Sequence, residues 1–298
     1  MELVLHEAVR SALSTITRRP AGSYLFYGPA GVGKFSAALE LARTLNCQRQ
    51  HPANEPCTSC AQFAAGTYPD LIIVRPEDKP SITIEQIRRT VTALNLQPYY
   101  QTGTRTIIID SADAMTIDAA NALLKLLEEP PPRTLFILVA PTAESLLPTI
   151  RSRTAGIYFP LPSREQVTQL LESRHQVASS EAQRLTDAAV GAPGAAITLA
   201  TDPQAAALRL DLASQAQRAL TQTRFGRLRL AAALTAASAD LSYFARLLHA
   251  RIADAIAQNT MLSPQAAANL AALEQFRRQL SAKVAPRVAL ERLMLELL

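Results

Sequence analysis

Gly28-Pro29-Ala30-Gly31-Val32-Gly33-Lys34 is the stretch of this sequence best suited to chemistry. Its glycines let backbone N–H groups curl around a phosphate, and a helix opening directly behind them adds positive potential. Lys34 would reach the outer phosphates of a nucleotide. The next position changes the meaning of the loop. A hydrolytic phosphate loop carries Ser or Thr there, whose hydroxyl binds Mg²⁺. This chain has Phe35, which offers no oxygen, and Ser36 one residue on faces another side of the helix. Downstream, Asp110 ends the apolar run Ile107-Ile108-Ile109, where a carboxylate would face a metal. The residue after it should orient the attacking water, yet it is Ser111, with Asp113 two further on. A serine hydroxyl is not a base at neutral pH without help. Two parts that hydrolysis needs together are missing, so Mg²⁺-dependent hydrolysis is not expected. ATP binding through the backbone and Lys34 stays open.

A second cluster is Cys47, Cys57 and Cys60, the chain's 3 cysteines, all within one short stretch. Such bunching reads as a metal-type cluster and not as a disulfide framework. His6, His175 and His249 are scattered and read as surface or helix residues.

The elements that must position these groups alternate strand and helix through the first half. Strands are expected at residues 23–27, 71–74, 106–109, 135–139 and 157–159, each an apolar run. Helices are expected at 35–45, from Glu85 with Thr83 and Gln86 forming a capping box, and at 118–129, where Pro130-Pro131-Pro132 stops the chain. Near-continuous apolar strands separated by helices indicate a parallel sheet covered on both faces. Beyond Pro160-Leu161-Pro162-Ser163 no strand is indicated. Ser163 and Gln166 form another capping box, and the signals stay helical to Leu298 with breaks near Gly226, Pro264 and Pro286.

Composition bounds the rest. A chain of 298 residues suits two or three domains, and 48% hydrophobic residues allow a sizeable core. Trp is absent, so that core is mainly aliphatic. The net charge of +5 comes mostly from arginine, without a basic tract, which permits nucleic-acid contact but does not require it. No apolar run reaches the roughly 20 residues that span a bilayer, and Met1 to Glu7 lack the pattern of a secretory leader, so no membrane partner and a cytoplasmic location are expected.

Asp110 to Pro132 carries a family resemblance, most specifically in Asn121-Ala122-Leu123-Leu124-Lys125 and Leu127-Glu128-Glu129-Pro130. With Leu146 to Arg153 it is similar to the AAA+ clamp-loader family of bacterial DNA polymerase III. The resemblance extends through Ala192-Pro193-Gly194-Ala195-Ala196 to Ala285-Pro286-Arg287-Val288-Ala289-Leu290-Glu291, which looks like the last collar helix. It implies an α/β AAA+ core at residues 1–161 with a Cys-rich insertion at 47–60, a small helical lid at 162–203 and an all-α collar at 204–298. It also implies a hetero-pentamer with gamma/tau and delta subunits that places a sliding clamp on primer-template DNA. Because the loop's Ser/Thr and the Glu after Asp110 are missing, the chain resembles a subunit without ATPase activity. A catalytically active gamma/tau-like ATPase is the alternative. A DNA-binding module at the cysteine loop is a third reading, poorly supported because only Arg43 and Arg49 lie near it.

Two site roles follow from the resemblance. Arg153, in Ser152-Arg153-Thr154, matches the arginine that faces a neighbouring subunit's ATP, with Thr154 where the family has Cys. A guanidinium is a permanent charge that grips phosphate oxygens in a fork, and a finger of this kind is worth about 10³ to 10⁵ in rate. In ATPase subunits an arginine stands where this chain has Ala196. Cys47, Cys57 and Cys60 resemble the family's structural zinc module, whose last Cys falls at position 63, here Phe63. Zinc wants four ligands, and His51 is the candidate for the fourth; three reduced cysteines in a degenerate module is the other reading.

Overall fold

The computed structural model describes residues 4–18, 20, 22–47, 57–100, 103–258, 260–261, 263–282 and 284–297. It divides into two compact units, Met1–Pro162 and Ser163–Leu298.

In the first unit the elements run α1 (Glu7–Arg18), β1 (Gly22–Tyr27), α2 (Lys34–Leu45), α3 (Thr58–Ala65), β2 (Leu71–Val74), α4 (Ile84–Leu94), β3 (Arg105–Ile109), α5 (Ile117–Glu128), β4 (Thr134–Ala140), α6 (Pro148–Arg151) and β5 (Ala155–Tyr158). The strands form one parallel sheet in the order β2-β3-β4-β1-β5. Every residue of β3 and β4 is buried. Because strand side chains alternate between faces, the two strands feed two cores. Ile107, Ile109, Phe136 and Leu138 pack with α4 and α5 residues such as Ile87, Leu123 and Leu127. Ile108, Leu135, Ile137 and Val139 pack with Val9, Ile16, Ala37 and Leu41 of α1 and α2. Covering both faces explains the unbroken apolar runs. The chain leaves β1 for the far edge at β2 and returns through β3 and β4, so the crevice outside the strands' carboxyl ends opens beside β1.

Local chemistry fixes the ends of the helices. Gln86 accepts from the Thr83 N–H at 2.9 Å and donates to the Arg75 carbonyl at 2.8 Å, closing the expected capping box and tying α4 to the end of β2. Thr116 caps α5 by accepting from the Ala119 N–H at 3.2 Å. The helix stops at Glu128 because Glu129 precedes a proline and leaves the helical region at φ −127°, ψ 74°.

The second unit is helical in all its described elements: α7 (Arg164–His175), α8 (Ser179–Ala188), α9 (Pro193–Thr201), α10 (Pro203–Thr221), α11 (Arg224–Ala236), α12 (Leu241–Ala257), α13 (Ser263–Ser281) and α14 (Pro286–Glu296). Ser163 and Gln166 close the predicted box at its start, with N–H to side-chain oxygen distances of 3.0 and 3.2 Å. One apolar cluster runs through it, from Val167 and Leu185 to Phe244, Phe276 and Leu293.

The second strand falls where expected, at 71–74, and the others differ by a residue or two at their ends. The largest shift is in β5, expected at 157–159: its pairing with β1 begins two residues earlier, with Tyr24 opposite Ala155, and ends at Tyr158.

Candidate functional site

The glycine loop joins β1 to α2 in the crevice beside β1. Gly28 sits at φ 146°, and a Cβ there would lie 2.2 Å from the Phe159 carbonyl oxygen, so this position excludes every side chain. Gly33, at φ 92°, is the residue before the first turn of α2. Gly31 is also left-handed, at φ 77°. Lys34 is buried, and its Nζ donates to the carbonyls of Gly28 at 2.6 Å and Pro29 at 2.7 Å. The ammonium therefore closes the loop on itself, leaving one of its three protons for another acceptor. Burial pulls the Lys34 pKa down, while the charges of Asp110 and Asp113 oppose that fall.

Phe35 turns inward against the core cluster of Phe26 and Leu41. The Arg75 guanidinium stands over its ring, 5.7 Å from the centroid, within reach of a cation–π contact. The position at which a hydroxyl would meet magnesium is thus an aromatic face under an organic cation. Asp110 closes β3 and donates its N–H to the Val74 carbonyl at 2.8 Å. Ser111 is exposed in a left-handed conformation at φ 60° and opens a short turn, Ala112–Ala114. The loop glycines, Lys34 and Asp110 are brought to one place; neither Phe35 nor Ser111 adds a metal ligand or base to it.

Arg153 lies in the turn between α6 and β5. Its Nε donates to Glu128 Oε2 at 3.1 Å, and its Nη1 to the Thr149 carbonyl at 3.2 Å and Ser152 Oγ at 3.3 Å. None of these partners belongs to the glycine loop. A third of the Arg153 side chain stays exposed. Glu128 is the residue that sequence reasoning left without a role, although it stands inside the run Leu127-Glu128-Glu129-Pro130. In the second unit, Ala196 is fully buried in α9.

The cysteines gather at the end of α2 and the start of α3. Asn46 is the C-cap of α2, which sets Cys47; Cys57 is the N-cap of α3, and Cys60 lies in its first turn. Their three sulfur atoms lie within 4.8 Å of one another, and Cys60 and Cys47 are 3.7 Å apart. A tetrahedral zinc site with Zn–S bonds near 2.3 Å has ligand-to-ligand edges of about 3.8 Å, so the triad fits three of its corners. Among the described residues no fourth His, Cys, Asp or Glu joins the group. His51 falls outside the described residues. Phe63, at the position of the family's last cysteine, is buried and stacks on Tyr68 at 4.2 Å between centroids, and Tyr68 stacks on Tyr100 at 5.4 Å. Burial pushes the Cys60 thiol up to about 11, against the Arg43 Nη1 that donates to it at 3.2 Å.

A family model described as "DNA polymerase III, delta subunit" matches residues 7–163. The DNA polymerase III subunit delta' of Pseudomonas aeruginosa is 42% identical over 146 residues, covering 48% of this chain and 44% of that one. The subunit of the same name from Escherichia coli K12 is 35% identical over 176 residues, 57% of this chain and 51% of that one. The DNA polymerase III subunit gamma/tau of Mycobacterium tuberculosis H37Rv is 37% identical over 164 residues, 54% of this chain and 28% of that one. The chain thus spans about half the length, or less, of the curated relatives it matches. Over the whole chain, the crystal structure of a DNA polymerase III gamma subunit-related protein from Thermotoga maritima superposes with a TM-score of 0.57, at 20% identity and 97% coverage of each chain. That likeness shows the fold: a parallel α/β sheet unit followed by helices, as the sequence led one to expect.

Proposed function

The chain belongs to the DNA polymerase III delta-subunit family, and we propose that it is the delta-prime component of a clamp loader, without ATPase activity of its own, lending Arg153 to a neighbour's ATP. The observation that carries this reading is the contrast between two sites. The glycine loop and Asp110 are kept, but Phe35, half-buried, packs against the core and Ser111 stands where the water-orienting carboxylate would be. Arg153 is retained with a third of its side chain exposed. The relatives named delta' support the choice of subunit, and the two missing catalytic groups weigh against the gamma/tau-like alternative.

The partners in this reading are gamma/tau and delta subunits in a hetero-pentamer, a sliding clamp reached through them, and primer-template DNA. The second unit would divide into a lid at 162–203 and a collar at 204–298. No described helix is long and apolar enough to cross a membrane, which agrees with a cytoplasmic role in replication. Cys47, Cys57 and Cys60 would hold structural zinc, with His51 the candidate fourth ligand. The ion would staple the insertion between α2 and β2, and the chain supplies three thiol corners for it.

The deciding experiment mixes this chain with gamma, delta, clamp and primed DNA and measures ATP turnover. Arg153→Ala is expected to cut the rate steeply, by up to about 10³-fold where one site limits the cycle, while gel filtration shows intact assembly. Turnover equal to wild type would refute the finger. Robust turnover by the isolated chain would refute the whole reading.

A further inference from the structure

We infer that Glu128 is a positioning residue that fixes the direction of the Arg153 guanidinium; this rests on the finger role proposed above. The argument begins with how an arginine can be aimed. Its side chain carries about 2 kcal/mol of rotamer entropy, and a finger that wanders loses that much before it reaches a phosphate. Arg153 has three acceptors within the chain. Nε is taken by Glu128 Oε2 at 3.1 Å and Nη1 by the Thr149 carbonyl at 3.2 Å and Ser152 Oγ at 3.3 Å. Ser152 is itself held, its Oγ donating to the Thr149 carbonyl at 3.1 Å. Among the described residues these bonds use Nε and Nη1, so the Nη2 N–H groups are left for an external anion.

Glu128 suits this task because of its own placement. It is the last residue of α5, two residues before the proline stop, so its backbone is set by a helix packed on the sheet through Leu123 and Leu127. The arginine comes from a short turn after α6. The pair therefore ties a loop-borne cation to a rigid element 25 residues earlier in the chain. Its side chain is 59% exposed, so removing it opens no cavity and leaves the fold intact. An exposed pair adds little to stability, which makes aim, not folding, its measurable effect.

The test uses the assembled loader with clamp and primed DNA and four versions of this chain: E128A, E128Q, R153A and E128A/R153A. E128A is expected to lower kcat about two- to fivefold with the KM for ATP, assembly and melting temperature unchanged. E128Q, which keeps an acceptor oxygen, should recover part of that loss. In the R153A background E128A should cost nothing more, because the group it aims is gone. A wild-type rate for E128A beside an impaired R153A overturns the role of Glu128 and leaves the finger standing. The same holds for an equal E128A effect with and without Arg153, or for a faster E128A complex. A wild-type rate for R153A overturns the finger, and this inference with it.

Discussion

Asn46 grips Thr104 through both ends of its amide: Oδ1 accepts the Thr104 N–H at 2.8 Å, and Nδ2 donates to the Thr104 carbonyl at 3.0 Å. The same Nδ2 donates to the Ala42 carbonyl at 2.9 Å. One buried side chain thus seals the end of α2 against the approach to β3, beside the first cysteine. Asn46→Ala should destabilise the chain by about 2–3 kcal/mol, because it strands a buried N–H and carbonyl. Urea unfolding reads the change; a loss below about 0.5 kcal/mol would show that water replaces the amide without penalty.

Phe35→Thr should not produce an ATPase. The hydroxyl would appear where magnesium needs it, but Ser111 still offers no base, and chemistry requires both. Phosphate release by the purified variant should stay at the blank. Sustained release above it would mean that another residue orients the water.

Stability should fall at high pH through Tyr68. Burial raises its phenol above the ordinary value near 10, with Asp70 and Tyr100 adding to the rise. Raised in the fold, the group holds its proton longer there than in the unfolded chain. Its contribution is complete below about pH 10 and is lost as pH climbs past that point. Tyr68→Phe should flatten this alkaline limb in melting curves recorded from pH 8 to beyond 10. A limb of unchanged slope would place the titration elsewhere.

Zinc uptake should release protons. The Cys60 thiol is pushed up to about 11, so it is protonated at neutral pH and must ionise to bind. Affinity should therefore weaken as pH falls, and calorimetric heats should vary with the ionisation enthalpy of the buffer. Cys60→Ser should lower metal content from about one ion per chain toward zero by elemental analysis. Wild-type chain with no metal after reconstitution would refute the site.

Much of this molecule was readable before its coordinates. Two faces of apolar residues told of a covered parallel sheet, and Thr83/Gln86 and Ser163/Gln166 announced two helix starts by chemistry that acts within four residues. Phe35 and Ser111 stood out as departures from a hydrolytic site because position relative to a loop or strand end is a sequence property. What escaped was pairing across distance. Nothing local says that Glu128 meets Arg153, that Arg75 covers Phe35, or that Lys34 turns back on the carbonyls of Gly28 and Pro29. Those depend on strand order and on the angle at which each element arrives. α1 and α3 also escaped; α3 lies within a stretch whose cysteines drew the reading toward ligands and away from helical periodicity.

The Phe63, Tyr68 and Tyr100 stack carries a consequence for how the cysteine segment survives. The aromatic column begins at Phe63, where the resemblance puts a cysteine, and it is anchored to the sheet side by Tyr68, just before β2. With zinc bound, the segment would have two independent fastenings, the ion and the aromatic column. Chelators or oxidants would then remove only the ion, and the stacked rings would still hold this corner to the residues before β2.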